Sequence, residues 1–150
     1  MIVIKNKQRL HKIDTKQVKE ITQKILDLLD YTNFDLGIWF TTNTTIRKYN
    51  RTYRNKDKPT DILSFSHHPE LRPGKRIQVH QPEDKNLGDL IISAEYLKKD
   101  APLWHQTFEE RLVILLIHGI CHLLGYDHEN DQDYKIMKKK ETLLLKLLKK

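Results

Sequence analysis

The sequence predicts a single small α+β domain, a mixed four-stranded sheet packed with about five helices. Three observations predict it. Short runs rich in branched and aromatic residues alternate with segments whose apolar residues recur every three to four positions. The 150 residues, 38% of them hydrophobic, suffice for one core and not for two. No internal repeat and no Gly- or Ser-rich linker divides the chain, so residues 1–150 are expected to form one domain.

Taken in order, Ile2 to Ile4 predict a short strand. Asp14 caps a helix whose Val18, Ile21, Ile25, Leu28 and Leu29 lie on one stripe. Leu36 to Thr41 read as a strand. Asn43 or Thr44 caps a second helix carrying Ile46, Tyr49 and Tyr53. Pro59 ends local helix, and Ile62 to Phe65 form the next strand. Residues 67–86, with three prolines, one glycine and many polar side chains, predict a long mobile loop. Leu87 to Ile92 form another strand, and Ser93 caps a short helix reaching Lys99. Thr107-x-x-Glu110 is a capping box that opens a longer helix. The last helix runs from about Asn130 to Leu148. Met137, Leu144 and Leu148 are expected to face the core there, with the lysines as the wet side; an amphipathic helix lying on a membrane or on RNA is the lesser reading.

Lysine and arginine number 27 against 20 acidic residues, giving a net charge of +7 and a pI near 9.4. That balance suits a polyanionic partner such as nucleic acid, and it equally suits a lysine-rich soluble surface. The single cysteine, Cys121, excludes an intrachain disulfide and suits a reducing compartment. The start MIVIKNKQRL lacks the apolar stretch of a secretory signal, and no apolar run approaches the ~20 residues of a membrane span. A cytoplasmic protein with no membrane partner is expected.

The chemistry is written in residues 118–128, HGICHLLGYDH. His118 and His122 are four apart, so on a helix they project from one face, about 40° apart in azimuth. Gly125 is a natural helix stop, and a reversal there swings His128 back toward the first two rings. Three neutral imidazoles converging on one point are the ligand set of a catalytic zinc site, with the fourth position left for water. A lone histidine is more often a core or surface residue, and the chain holds eight. This spacing, following the apolar run Leu112–Ile117, favours one bound metal ion.

The spacing also matches the zinc-binding segment of the metzincin proteases, so the helix is expected to be zincin-like. Those enzymes carry H-E-x-x-H, with the Glu as general base. Here that position is Gly119, which can move no proton, and the companion methionine turn is missing. A metal can still lower the pKa of water to about 7, so the site reads as hydrolytic toward a substrate that asks less of a protein base.

HGICHLLGYDH resembles the signature of the YbeY endoribonucleases. Two further blocks resemble that family in the same order: Tyr49–Arg54 with Lys56–Phe65, and Leu87–Ser93. The resemblance implies a zinc-dependent, single-strand-specific endoribonuclease acting in 16S rRNA 3′-end maturation and ribosome quality control. It implies that His118, His122 and His128 hold one Zn2+, and that these three histidines with Arg54 are catalytic. It also implies ribosomal RNA, small ribosomal subunit proteins and an Era-type GTPase as partners. Two departures are visible. Cys121 stands where leucine is usual, and Ser66, His67 and His68 stand where proline and an aromatic are common.

Among the remaining candidates, Arg54 lies in a basic segment with Arg47, Lys48, Arg51, Lys56 and Lys58. On the residues alone this is a solvated helix end favoured by the dipole; with the resemblance it is a guanidinium that grips phosphate. Asp127 either orients a ligand histidine or caps the turn after Gly125. Asp89 predicts a structural hydrogen bond. Cys121, about 100° around the helix from His122, is expected to be a buried thiol rather than a fourth ligand. His67 and His68 read as loop residues, with proton shuttling as a lesser option. His11, His80 and His105 offer no spacing argument. Two rival functions remain: a ribosome-assembly, RNA-binding factor with a structural zinc, and, less favoured, a metzincin-like protease lacking its Glu base.

Overall fold

Four strands and five α-helices form close to where the side-chain periodicity places them. The computed structural model describes residues 1–150. In chain order they are β1 (Ile2–Asn6), α1 (Thr15–Leu28), β2 (Asp35–Thr41), α2 (Asn43–Arg54), β3 (Ile62–Ser66), β4 (Asn86–Ser93), α3 (Ala94–Asp100), α4 (Phe108–Leu123) and α5 (Asp131–Leu148). The strand order is β1-β2-β4-β3; β1, β2 and β4 are parallel and β3 runs antiparallel to β4. The sheet is therefore mixed, as expected.

Local capping chemistry fixes most helix starts. Asp14 accepts from Gln17 N at 3.1 Å, Ser93 from Tyr96 N at 3.1 Å, and Asn130 from Asp133 N at 2.9 Å. Thr107 and Glu110 close the reciprocal capping box. The start of α2 differs from expectation. Its cap residue is Thr42, which makes no side-chain cap bond, and the Asn43 N–H is held instead by Glu95 of α3 at 2.9 Å. Asn43 itself accepts the Ser93 hydroxyl at 2.8 Å.

The two sheet faces are unequal. Leu36, Ile38 and Phe40 of β2, with Leu90 and Ile92 of β4, point into the main core against α1, α4 and α5. Trp39, Ile91, Leu63 and Phe65 point to the other face, where α2 covers them with Ile46 and Tyr49. Helix α4 is packed tightly on β3 and β4. A Cβ at Gly119 would come within 2.7 Å of Ile62 Cδ1 and 2.8 Å of Leu90 Cδ2. Glycine there lets the histidine helix approach the sheet.

The 67–86 segment, expected to be mobile, is fastened. The Arg76 guanidinium donates to the carbonyls of Leu29 at 2.8 Å and Asp30 at 2.6 Å, and lies over the Tyr31 ring. Ile77 is buried, and its N–H donates to the Tyr31 hydroxyl at 3.1 Å. Polar composition suggested a free loop, yet its polar groups answer unpaired carbonyls at the end of α1.

Candidate metal centre

The end of α4 is shaped by its backbone. Gly125 has φ +95°, and Tyr126 N donates to Cys121 O while Gly125 N donates to His122 O, each at 3.1 Å. This is a Schellman closure, which needs a residue at positive φ and therefore favours glycine. A Cβ at Gly125 would also run into the Leu71 carbonyl. From β3, the Ser66 hydroxyl donates to Leu123 O at 3.0 Å. The chain reverses and brings His128 back to His118 and His122. Ring centroids lie 4.6 Å (118–122), 5.0 Å (122–128) and 5.6 Å (118–128) apart. One ligand nitrogen from each ring falls within 4.8 Å of the others.

The protons decide what this cluster suits. His118 Nδ1 is 2.7 Å from Glu141 Oε2, a carboxylate that accepts, so His118 donates there. His122 Nδ1 is 2.9 Å from the Tyr126 carbonyl, so it donates too. In neutral imidazoles both Nε2 atoms then carry lone pairs, and the two atoms lie 3.1 Å apart. Two acceptors that close can be reconciled by one metal ion that both ligate. A proton on His122 is disfavoured: burial first, then the neighbouring His118 and His128, push its pKa down to about 4. Nitrogens bound to tetrahedral zinc at 2.0–2.1 Å lie about 3.4 Å apart, so the pair fits such an ion. The third ring, His128, is exposed, which leaves that side open.

Arg54 ends α2 on the far side of β3. Its Nη2 donates to Ser64 O at 2.7 Å, and the guanidinium lies 4.9 Å from the Phe65 ring centre. No hydrogen bond joins it to the histidines. Strand β3 links them, with Ser64 under Arg54 and Ser66 on the end of α4.

The family model for endoribonuclease YbeY matches residues 3–149. The chain belongs to the YbeY family. An endoribonuclease YbeY of Sulfurihydrogenibium is 43% identical over 137 residues, 90% of this chain and 84% of that one. The human endoribonuclease YbeY is 34% identical over 144 residues, 96% and 86% of the two chains. The solution structure of TM1509 from Thermotoga maritima shares the fold, with TM-score 0.63 and 24% identity over 99% of this chain and 89% of that one.

In this YbeY-family chain the carboxylate behind the histidines is one the sequence reading missed. Asp127 accepts from the His128 N–H at 2.8 Å and so braces the turn, the second of its two readings. Glu141 of α5 is the residue that orients a ring. Its signal was visible: Met137, Glu141, Leu144 and Leu148 are spaced four, three and four apart, so Glu141 interrupts the core-facing stripe. A charge at such a position needs a partner.

The other candidates fall outside the cluster. Cys121 is buried, and burial pushes its thiol up to about 12, so it stays protonated and is not among the grouped ligands. His68 Nε2 donates to Asp84 O at 2.8 Å, and His67 meets it edge-on, so the His68 ring is committed elsewhere. His11 stacks on Phe108. The Asp89 carboxylate makes no hydrogen bond, contrary to expectation; it lies over Gly37, where the missing side chain leaves room.

Proposed function

We propose that this chain is a zinc-dependent endoribonuclease that hydrolyses single-stranded RNA, working in the cytoplasm on ribosomal RNA during 16S rRNA 3′-end maturation and ribosome quality control. Small ribosomal subunit proteins and an Era-type GTPase are its partners in this reading. The relatives named endoribonuclease YbeY support the activity. The observation that carries the metal assignment is the convergence of one ring nitrogen from each of His118, His122 and His128 within 4.8 Å of the others.

His118, His122 and His128 would hold one Zn2+, which when bound polarises a phosphoryl oxygen and lowers the pKa of water. Glu141 and the Tyr126 carbonyl keep the two helix rings in the tautomer whose Nε2 is free to ligate. The exposed side of His128 gives an RNA backbone access. Arg54 donates one N–H to Ser64 O and one, at 3.4 Å, to Tyr53 O, and has others left to grip phosphate and offset charge that builds up in the transition state. The surplus of cations holds flanking phosphates without reading sequence, so affinity falls steeply with salt.

Two rival readings fit less well. A structural zinc would be closed by a fourth protein ligand, and the cluster offers three. The protease reading needs a glutamate at position 119. That position faces Ile62 and Leu90, so a carboxylate there would be driven into the sheet. The likeness of α4 to a zincin helix rests on spacing alone.

The test pairs elemental analysis of purified protein with cleavage of a structured ribosomal RNA fragment, in wild type and His118→Ala supplied with zinc. The expected result is loss of both bound metal and cleavage in the variant. Undiminished cleavage by His118→Ala refutes the mechanism.

A further inference from the structure

Next to Arg54 lies an aromatic group that the metal chemistry does not use. Tyr53, near the end of α2, is 58% exposed. It meets Phe65 edge-on at 5.4 Å, and Tyr49, one turn earlier, lies nearly parallel to it at 6.1 Å. Arg54 sits over Phe65. Tyr53 is thus braced by two rings and neighboured by a guanidinium, while more than half of it remains open.

The charge around it is one-sided. Residues 43–58 hold six cationic side chains and one acidic, Asp57, which is taken up by Arg47 through two bonds at 2.8 and 3.2 Å. The stretch is one of two strongly cationic segments of the chain, the other being the lysine-rich C-terminal helix. The turn that carries Lys56 and Lys58 is built rather than loose. Asn55 adopts φ +58°, and the buried Asn50 donates through Nδ2 to Lys58 O at 2.9 Å. The facing acid on the sheet, Asp89, is level with Phe65 in the register but leans over Gly37 of β2, away from the aromatic group.

An open aromatic ring amid cations matches the chemistry of an unpaired nucleotide strand, where bases stack and phosphates pair. It matches a duplex poorly, because the bases of a duplex are already stacked. We propose that Tyr53, braced by Phe65 and Tyr49, is a stacking platform for one base of a single-stranded RNA. The adjoining phosphate then lies at Arg54, and the strand continues over the edge of β3 toward the histidines. The inference rests on the ribonuclease reading for its choice of RNA, and it adds a base-binding residue that selects unpaired substrate.

The test measures binding, so that its failure is separable from failure of the nuclease reading. Metal-stripped full-length protein is titrated with a fluorescent single-stranded RNA of about ten nucleotides, the same strand annealed into a duplex, and an abasic ribose-phosphate chain of equal length. Tyr53→Ala is expected to weaken single-strand binding about ten-fold, with Tyr53→Trp near wild type and Tyr53→Leu as weak as alanine. The salt slope should stay unchanged in Tyr53→Ala and fall by about one in Arg54→Gln. Binding of the abasic chain should be insensitive to Tyr53. Circular dichroism confirms that each variant is folded.

Equal affinity of Tyr53→Ala and wild type for the single strand overturns the proposal. So does an equal Tyr53 effect on the abasic chain, full competition by polyglutamate, or no binding of the single strand at all. A protein that binds through Tyr53 yet cleaves no RNA leaves the platform standing and removes the nuclease. Cleavage with unaltered KM in Tyr53→Ala does the reverse.

Discussion

His118 and His122 sit one turn apart on the same helix, yet their rings are held by different parts of the molecule. His122 is fixed from within by the carbonyl of Tyr126, delivered by the helix-ending turn four residues later. His118 is fixed from outside by the Glu141 side chain, 23 residues away on α5. The first device costs no side chain and cannot be separated from the local fold. The second places a charge in an apolar seam, where it depends on its partner and can be exchanged without rebuilding the backbone. Half of the centre therefore stands or falls with the turn, and the other half with the packing of α5.

Breaking the turn should have the largest effect. Gly125→Ala puts a Cβ into the Leu71 carbonyl and forces a non-glycine residue to φ +95°. A cost of about 3 kcal/mol or more is expected, read as a melting temperature lower by roughly 10 °C, together with loss of metal binding. A variant that melts like wild type would show that the turn relaxes freely. Changing the seam should separate the two properties. Glu141→Gln is expected to weaken metal affinity about 10–100-fold in a competition titration, with little change in metal-free melting. Glu141→Leu completes the apolar stripe, so the metal-free protein should melt higher while metal binds more weakly. A parallel loss of both would mean that Glu141 serves the fold rather than the ring.

Acid should act on the turn-held ring. Burial sets the folded pKa of His122 near 4 against 6.5 for the free side chain, so between those values the unfolded chain binds the extra proton. Stability of the metal-free protein is therefore expected to fall as pH drops from about 6.5 toward 4. Urea midpoints measured across that range check it, and His122→Gln should flatten the slope. The smallest effect is assigned to Asp127. Its carboxylate braces only the His128 N–H, so Asp127→Ala should cost about 1 kcal/mol or less and leave metal stoichiometry intact.

The same contrast explains what could be read in the chain. Asp14, Ser93, Asn130 and the Thr107–Glu110 pair announce their helices because a cap bonds three residues ahead. Gly125 announces the reversal for the same local reason. What escaped was long-range. Glu95 reaches Asn43 across 52 residues, and Arg76 reaches the end of α1 across 46 or 47. Neither leaves a periodic trace. Glu141 is the intermediate case, since an acid on an apolar stripe signals a buried partner without saying which one. Arg54 was found through the resemblance, and its geometry gives it a bond to Ser64 that spacing could not foresee.

That bond has a consequence for how the protein behaves in solution. Strand β3 is the last in the sheet, so its outward backbone groups have no neighbouring strand. Arg54 occupies the Ser64 carbonyl with a bulky cation, and the Asp61 side chain takes the Ile62 N–H at 2.7 Å. Exposed borders of this kind recruit other strands and lead to aggregation, and a guarding charge prevents it. Removing the arginine opens the border, and the altered protein should self-associate as its concentration rises.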